Sequence, residues 1–215
     1  MIILILDYGS GNLQSVYNSV KTTLDNHDIK SKISVSNNLK DIENSDKIIL
    51  PGVGSFNHCI ENLSNKVGVL DLIKETVLNK RKPLLGICVG MQMFANLGYE
   101  NKKTKGLNFI EGEVKNIKNF VKTDKNLKIP HMGWNNLIYK KKHQILDKIS
   151  ECDYFYFVHS YFFQEKNKND IIATTNHGIE MASIISKDNI FGFQFHPEKS
   201  GKSGLKILNN WLTLD

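Results

Sequence analysis

The chain opens Ile2-Ile3-Leu4-Ile5-Leu6-Asp7-Tyr8-Gly9-Ser10-Gly11-Asn12-Leu13. An unbroken apolar run of this kind suits a strand buried on both faces, as in a parallel sheet. Gly9 and Gly11 make a turn, and Leu13, Val16, Val20 and Leu24 then recur at helical spacing. Similar units follow. Ile33 and Val35 predict a second strand, and Lys47 to Leu50 a third, stopped by Pro51-Gly52-Val53-Gly54. Val69, Leu72, Ile73 and Val77 mark a helix that ends near Pro83. Leu84 to Ile87 is a fourth buried strand, and Met91, Phe94 and Leu97 predict a helix directly behind it. Strand, turn and helix in repetition give the rhythm of an open parallel sheet.

From about residue 112 the rhythm changes. Residues 112–117, 134–139, 154–163, 171–175, 181–186 and 191–195 all read as extended, with turn residues between them. Close spacing of this kind predicts antiparallel pairs. Residues 200–211 read as a closing helix, with Leu205, Leu208 and Leu212 on one face. The predicted architecture is one α/β domain over residues 1–215. Its sheet is open and mostly parallel, flanked by helices, with antiparallel strands in the second half.

Composition narrows the function. The chain has 215 residues, 40% hydrophobic and 23% charged, enough to bury a core without disulfide or metal. The longest apolar run, Met1 to Leu6, is too short to span a membrane. No basic stretch precedes it and Asp7 ends it, so it does not read as a secretory signal. Cys59, Cys88 and Cys152 make neither a disulfide framework nor a CxxC zinc pattern, which suits a reduced cytoplasm. The net charge of +6 does not point to nucleic acid. Arg81 is the only arginine, whereas bidentate base readout mostly uses arginine. Lys140-Lys141-Lys142 reads as an exposed turn. Gly9-Ser10-Gly11 lacks the third glycine of a dinucleotide fingerprint, because Gln14 stands there. Gly201-Lys202-Ser203 fails as a phosphate-binding loop, because His196 occupies the first glycine position. The histidines are scattered with no HExxH, and no metal site is expected.

Three segments carry chemistry. Gly86-Ile87-Cys88-Val89-Gly90 is the cysteine counterpart of a nucleophile elbow, placed between a strand and a helix. The tight turn lifts the sulfur out of the sheet, and flanking glycines let the backbone fold closely around it. A helix N-terminus behind the sulfur favours negative charge, and the N–H of Val89 can point at an oxyanion. A thiolate nucleophile needs a base, and the base needs an orienter. Phe195-His196-Pro197-Glu198 supplies both. Pro197 pushes His196 toward extended backbone, where residues two apart share a face. Pro51-Gly52-Val53-Gly54-Ser55 closes the third strand. Carboxyl ends of parallel strands converge on one crevice, so Gly52 or Val53 can offer a second N–H to the oxyanion.

Together these segments resemble the class I glutamine amidotransferases, with their Cys-His-Glu triad. Asp7 to Leu13, Pro51 to Gly54, Gly86 to Gln92, Pro130 to Asn135, Tyr156 to Tyr161 and Gln194 to Gly201 occur in order, and the set resembles the glutaminase subunits of imidazole glycerol phosphate synthases. The resemblance implies that glutamine is hydrolysed to glutamate and ammonia. The ammonia would pass to a (β/α)8-barrel cyclase subunit in a heterodimer. That subunit would make imidazole glycerol phosphate and an aminoimidazole carboxamide ribotide in histidine biosynthesis. It implies no metal or organic cofactor. By the same resemblance Cys88, His196 and Glu198 are catalytic, and Gly52, Val53 and Val89 form the oxyanion hole. Gly54, Gln92, Ser160 and Tyr161 would bind glutamine, while Asn12, Trp134, Tyr156 and Lys199 would face the partner. Two departures stand out: Gly98-Tyr99-Glu100-Asn101 replaces a Ser-Glu-Glu-like stretch, and Glu111 stands where a proline is usual. They leave open a paralogue whose ammonia goes to another acceptor, such as a surface sugar. The intact triad argues against a non-catalytic scaffold. Gln92 and the partner-face motifs argue against a cysteine peptidase or γ-glutamyl hydrolase.

Overall fold

A computed structural model describes residues 1–27, 30–121 and 127–214. The first half alternates strands and helices: β1 (Ile2–Leu6), α1 (Leu13–Asn26), β2 (Lys32–Ser36), α2 (Leu39–Asn44), β3 (Lys47–Gly52), α3 (Phe56–Ser64), α4 (Val69–Lys74), β4 (Leu84–Cys88) and α5 (Val89–Gln92). The second half is mostly strand: β5 (Leu97–Gly98), β6 (Thr104–Lys105), β7 (Gly112–Asn116), β8 (His131–Asn136), β9 (Ile138–Tyr139), β10 (Tyr154–His159), β11 (Tyr161–Glu165), β12 (Ile171–Asn176), β13 (Glu180–Lys187), β14 (Ile190–Phe193) and the closing helix α6 (Gly201–Leu212).

The main sheet has eight strands in the order β2-β1-β3-β4-β14-β13-β12-β9. Every pair from β2 to β14 is parallel, and every pair from β14 to β9 is antiparallel. Strands β3 and β4 are buried at every residue, as strands covered on both faces must be. Helix α1 packs on α6, while α4 contacts both α2 and α3. The buried Lys47 is accommodated at the end of α6. Its ammonium donates to the carbonyls of Trp211 and Leu214 at 3.2 and 2.6 Å, where a helix C-terminus favours a cation. Two smaller sheets, β10-β8 and β11-β7-β5-β6, complete the second half. Among the described residues, no helix is long and apolar enough to cross a membrane.

The sheet agrees with the predicted α/β class, and five local expectations need correction. The helix behind β4 is a single turn ending at Gln92, and Leu97 lies in β5. Residues 107–109 take the carbonyls that would extend that helix: Leu107 N–H donates to Met93, Asn108 to Ala95 and Phe109 to Phe94, at 2.7–3.1 Å. The helix begun at Val69 changes to a wider π turn over Glu75–Asn79. The extended run 154–163 breaks at Ser160 into β10 and β11. The run 191–195 ends as a strand at Phe193, with the Gln194 N–H still donating to the Ser183 carbonyl, and one of its two neighbours, β4, is parallel. Helices α2 and α3 were not predicted.

Candidate active site

The chain adds β2 on one side of β1 and then β3 and β4 on the other, and the carboxyl ends of such an open sheet line a crevice. The ends of β3, β4 and β14 carry Gly52, Cys88 and the His196 turn. Cys88 is the last residue of β4 and has φ +55°. A non-glycine residue in this region is strained by about 1–3 kcal/mol, and such strain concentrates at functional sites. The flanking glycines permit the turn through close approach. A Cβ on Gly90 would lie 2.0 Å from the Leu50 carbonyl oxygen, and one on Gly86 would lie 2.6 Å from the Phe94 ring. Val89 begins the one-turn helix, so its N–H has no acceptor within that helix. With so short a helix, any support for negative charge comes from these first N–H groups rather than from a long axial dipole.

His196 and Glu198 meet through a turn, not through the expected extended alternation. Residues Pro197–Lys199 form a 3-10 turn with Pro197 at its start. His196 Nδ1 and Glu198 Oε1 are 2.7 Å apart, and the two side chains are 2% and 1% exposed. The Ser200 hydroxyl fixes the turn by donating to the His196 carbonyl at 2.6 Å. Burial opposes charge on His196. Its interactions with Cys88 and Glu198 outweigh that and raise it to about 10. Its Nε2 is buried with no hydrogen-bond partner among the described residues; since Glu198 occupies Nδ1, Nε2 is the ring nitrogen left for Cys88.

The strand end opposite the elbow is held from behind. Gly52 lies in register with Cys88, and a Cβ on it would lie 2.4 Å from Gly90 N. The Tyr8 hydroxyl donates to the Pro51 carbonyl at 2.7 Å, and the Cys59 thiol donates to the Val53 carbonyl at 3.4 Å. Burial raises both donors, so both keep their protons.

A cavity of about 420 Å³ opens over Cys88 and His196. Gly54, Gln92, Ser160 and Tyr161, four residues expected to bind substrate, all line it, together with Val53 and Val89. Gln92 is more constrained than expected, because its Nε2 donates to the Tyr161 carbonyl at 2.8 Å and to Gln194 Oε1 at 3.0 Å. Glu100 also lines the cavity and was not among the predicted site residues. Its carboxylate accepts the Phe56 N–H at 2.7 Å, and burial raises it above the ordinary glutamate range. Behind the cavity, His159 Nδ1–H donates to the Tyr161 carbonyl at 2.9 Å, and its Nε2 accepts from His131 Nδ1 at 3.1 Å. The carbonyl only accepts, which fixes both tautomers. Burial lowers His131 to about 3 and His159 to about 4, so both are neutral.

Beside the cavity mouth is an exposed aromatic patch. Trp134 is 57% exposed and packs edge-on to Tyr156 at 5.9 Å. The Lys199 ammonium sits 5.8 Å from the Tyr156 ring centre, and Lys199 also lines the cavity. The Tyr156 backbone connects this patch to the catalytic turn: His196 N–H donates to its carbonyl, and its own N–H donates to Ser200 Oγ at 3.0 Å. Asn12 precedes α1 and is half-exposed.

The family described as glutamine amidotransferase class-I matches residues 4–214. This chain belongs to that family. The amidotransferase is 45% identical over 214 residues to the imidazole glycerol phosphate synthase subunit HisH of Pelagibacter ubique, covering 100% of both chains. It is 39% identical to the HisH subunit of Brucella abortus, covering 99% of this chain and 98% of that one. Its fold matches a crystal structure of a glutamine amidotransferase with TM-score 0.70 at 14% identity, covering 99% and 100% of the two chains. A glutamine amidotransferase from Thermotoga maritima gives TM-score 0.60 at 16% identity, covering 92% and 76%.

Proposed function

We propose that this chain is the glutaminase subunit of an imidazole glycerol phosphate synthase, acting as one amidotransferase domain in a reducing cytoplasm. The observation that carries the mechanism is a strained Cys88 that shares a cavity with the buried His196–Glu198 pair, held in the turn after the neighbouring strand. Cys88 Sγ attacks the amide carbon of glutamine, and the carbonyl electrons move onto oxygen. Backbone N–H groups of Val89 and of the Gly52-Val53 turn hold that oxyanion. His196 gives its Nε2 proton to the leaving nitrogen, and ammonia departs. The same nitrogen then removes a proton from water, which attacks the thioester and releases glutamate and the Cys88 sulfur. Glu198 occupies Nδ1 throughout, which keeps Nε2 directed at the reaction. Gly54, Gln92, Ser160 and Tyr161 frame the substrate, and the Glu100 carboxylate suits its α-ammonium group.

The partner is a (β/α)8-barrel cyclase that docks over Asn12, Trp134, Tyr156 and Lys199. The exposed aromatic pair beside the cavity mouth supports this position, since Trp and Tyr are enriched where binding energy concentrates. No metal or organic cofactor takes part in the hydrolysis. The test is Cys88→Ala, assayed with the barrel cyclase and its ribotide substrate. Glutamine-dependent product should disappear while product from added ammonia persists. The wild-type chain should also hydrolyse glutamine poorly alone and faster with the barrel cyclase. Glutamine turnover by the variant would refute the nucleophile, and a requirement for a different acceptor would refute the pathway.

A further inference from the structure

Gln194 is fully buried two residues before His196 and takes no part in the scheme above. The hydrogen bonds around it determine which way its amide points. The Tyr161 carbonyl can only accept, so the end of Gln92 that faces it is the NH2 group. That same nitrogen reaches Gln194, so the Gln194 end facing it is the oxygen. The Gln194 NH2 is thereby turned toward Cys88, with Nε2 3.8 Å from Sγ. This is a length within reach of a donor to the large sulfur atom.

The sulfur thus has two neighbouring groups able to donate to it, the His196 imidazole and the Gln194 amide. We propose that Gln194 is a hydrogen-bond donor to the nucleophile, holding the Cys88 sulfur as an aimed anion, with Gln92 as the clamp that fixes its amide. This rests on Cys88 being the nucleophile and deepens that reading. It also gives Gln92 a second duty: its NH2 group sets a neighbour, while its oxygen stays available to substrate.

Gln194→Glu keeps an oxygen for Gln92 but turns the other oxygen, without a donor, toward the sulfur. Gln194→Met removes the amide at similar volume. The readout is alkylation of the full-length chain by iodoacetamide without glutamine, followed at each cysteine by peptide mass spectrometry. The exposed Cys152 serves as the reference thiol in the same sample. At pH 7, Cys88 alkylation relative to Cys152 should fall about tenfold in both variants, as suits a lost hydrogen bond to a charged group. Its pH profile should move upward and rejoin wild type at the alkaline end. An unchanged profile in either variant, or a loss that persists at the alkaline end, overturns the proposal. If glutamine turnover survives Cys88→Ala, the nucleophile assignment fails and this proposal with it. A reactive wild-type sulfur with unaltered variants defeats this proposal alone.

Discussion

Gly52→Ala isolates the spacing between the two halves of the proposed oxyanion site. A methyl group on Gly52 would lie 2.4 Å from Gly90 N, 2.9 Å from Val89 C and 3.0 Å from Val89 Cβ. Two of these neighbours are backbone and cannot rotate away. Ordinary contact begins near 3.4 Å, so the strand end and the elbow must part by roughly 1 Å. Gly52 is not among the glycines with positive φ, so alanine fits its backbone and the change acts through space alone. A donor held at about 2.7–3.1 Å from an oxyanion loses nearly all of its bond when moved by that distance. Removing one such donor costs about 10²–10³ in kcat. Overpacking adds a stability cost of about 1–3 kcal/mol, or roughly 2–10 °C in Tm for a chain of this size. The assay measures glutamate release with the barrel partner present, beside a thermal melt. Wild-type turnover together with an unshifted melt would refute the reasoning, because the close contact would then be absent in solution.

Glu198→Gln keeps an acceptor for His196 but removes the buried charge. Glutamine turnover at neutral pH should fall about 10²-fold or more, and wild-type rates would exclude an orienting role. His196, raised to about 10, adds stability that is full below its unfolded value near 6.5 and is lost as pH rises toward 10. Urea melts of the Glu198→Gln variant should show that alkaline fall flattened. His131 and His159, lowered by burial to about 3 and 4, act with the opposite sign. Their stability is intact above about 6.5 and declines as pH drops toward those values, and His159→Gln should weaken the acid dependence in a urea titration series. Trp134→Ala should weaken binding of the barrel cyclase by about 30-fold or more in calorimetry. The melting temperature of the lone chain should hardly change, since the indole is 57% exposed.

The parallel half of the fold was legible because its signals are local: mostly apolar runs such as Ile2–Leu6 and Leu84 to Ile87, each with a glycine turn within three residues. Cys88, His196 and Glu198 were legible because their motifs state the chemistry within five residues. The rest depends on partners distant in sequence. The helix after Cys88 stops because residues 107–109 compete for its carbonyls, and nothing near Gln92 announces that. Glu100 reaches the cavity through the N–H of Phe56, 44 positions away. The Gln194 amide is oriented by Gln92, 102 positions away. Helix α2 was missed because it has six residues and buries only Ile42. Helix α3, by contrast, does show Phe56, Cys59 and Leu63 at helical spacing, masked by the turn that precedes it.

Strands β4 and β14 are hydrogen-bonded neighbours, with Ile87 beside Phe193. The proposed nucleophile ends one of these strands, and the proposed base follows the other by three residues, in a turn pinned by the His196 N–H to the Tyr156 carbonyl and by the Ser200 hydroxyl to the His196 carbonyl. Small motions within the sheet would therefore carry both anchors together. On the proposed function, a throttle on wasteful glutamine consumption falls to the rim of the sheet, on the loops that admit substrate or stabilise its charge, and variants that run unchecked should cluster there.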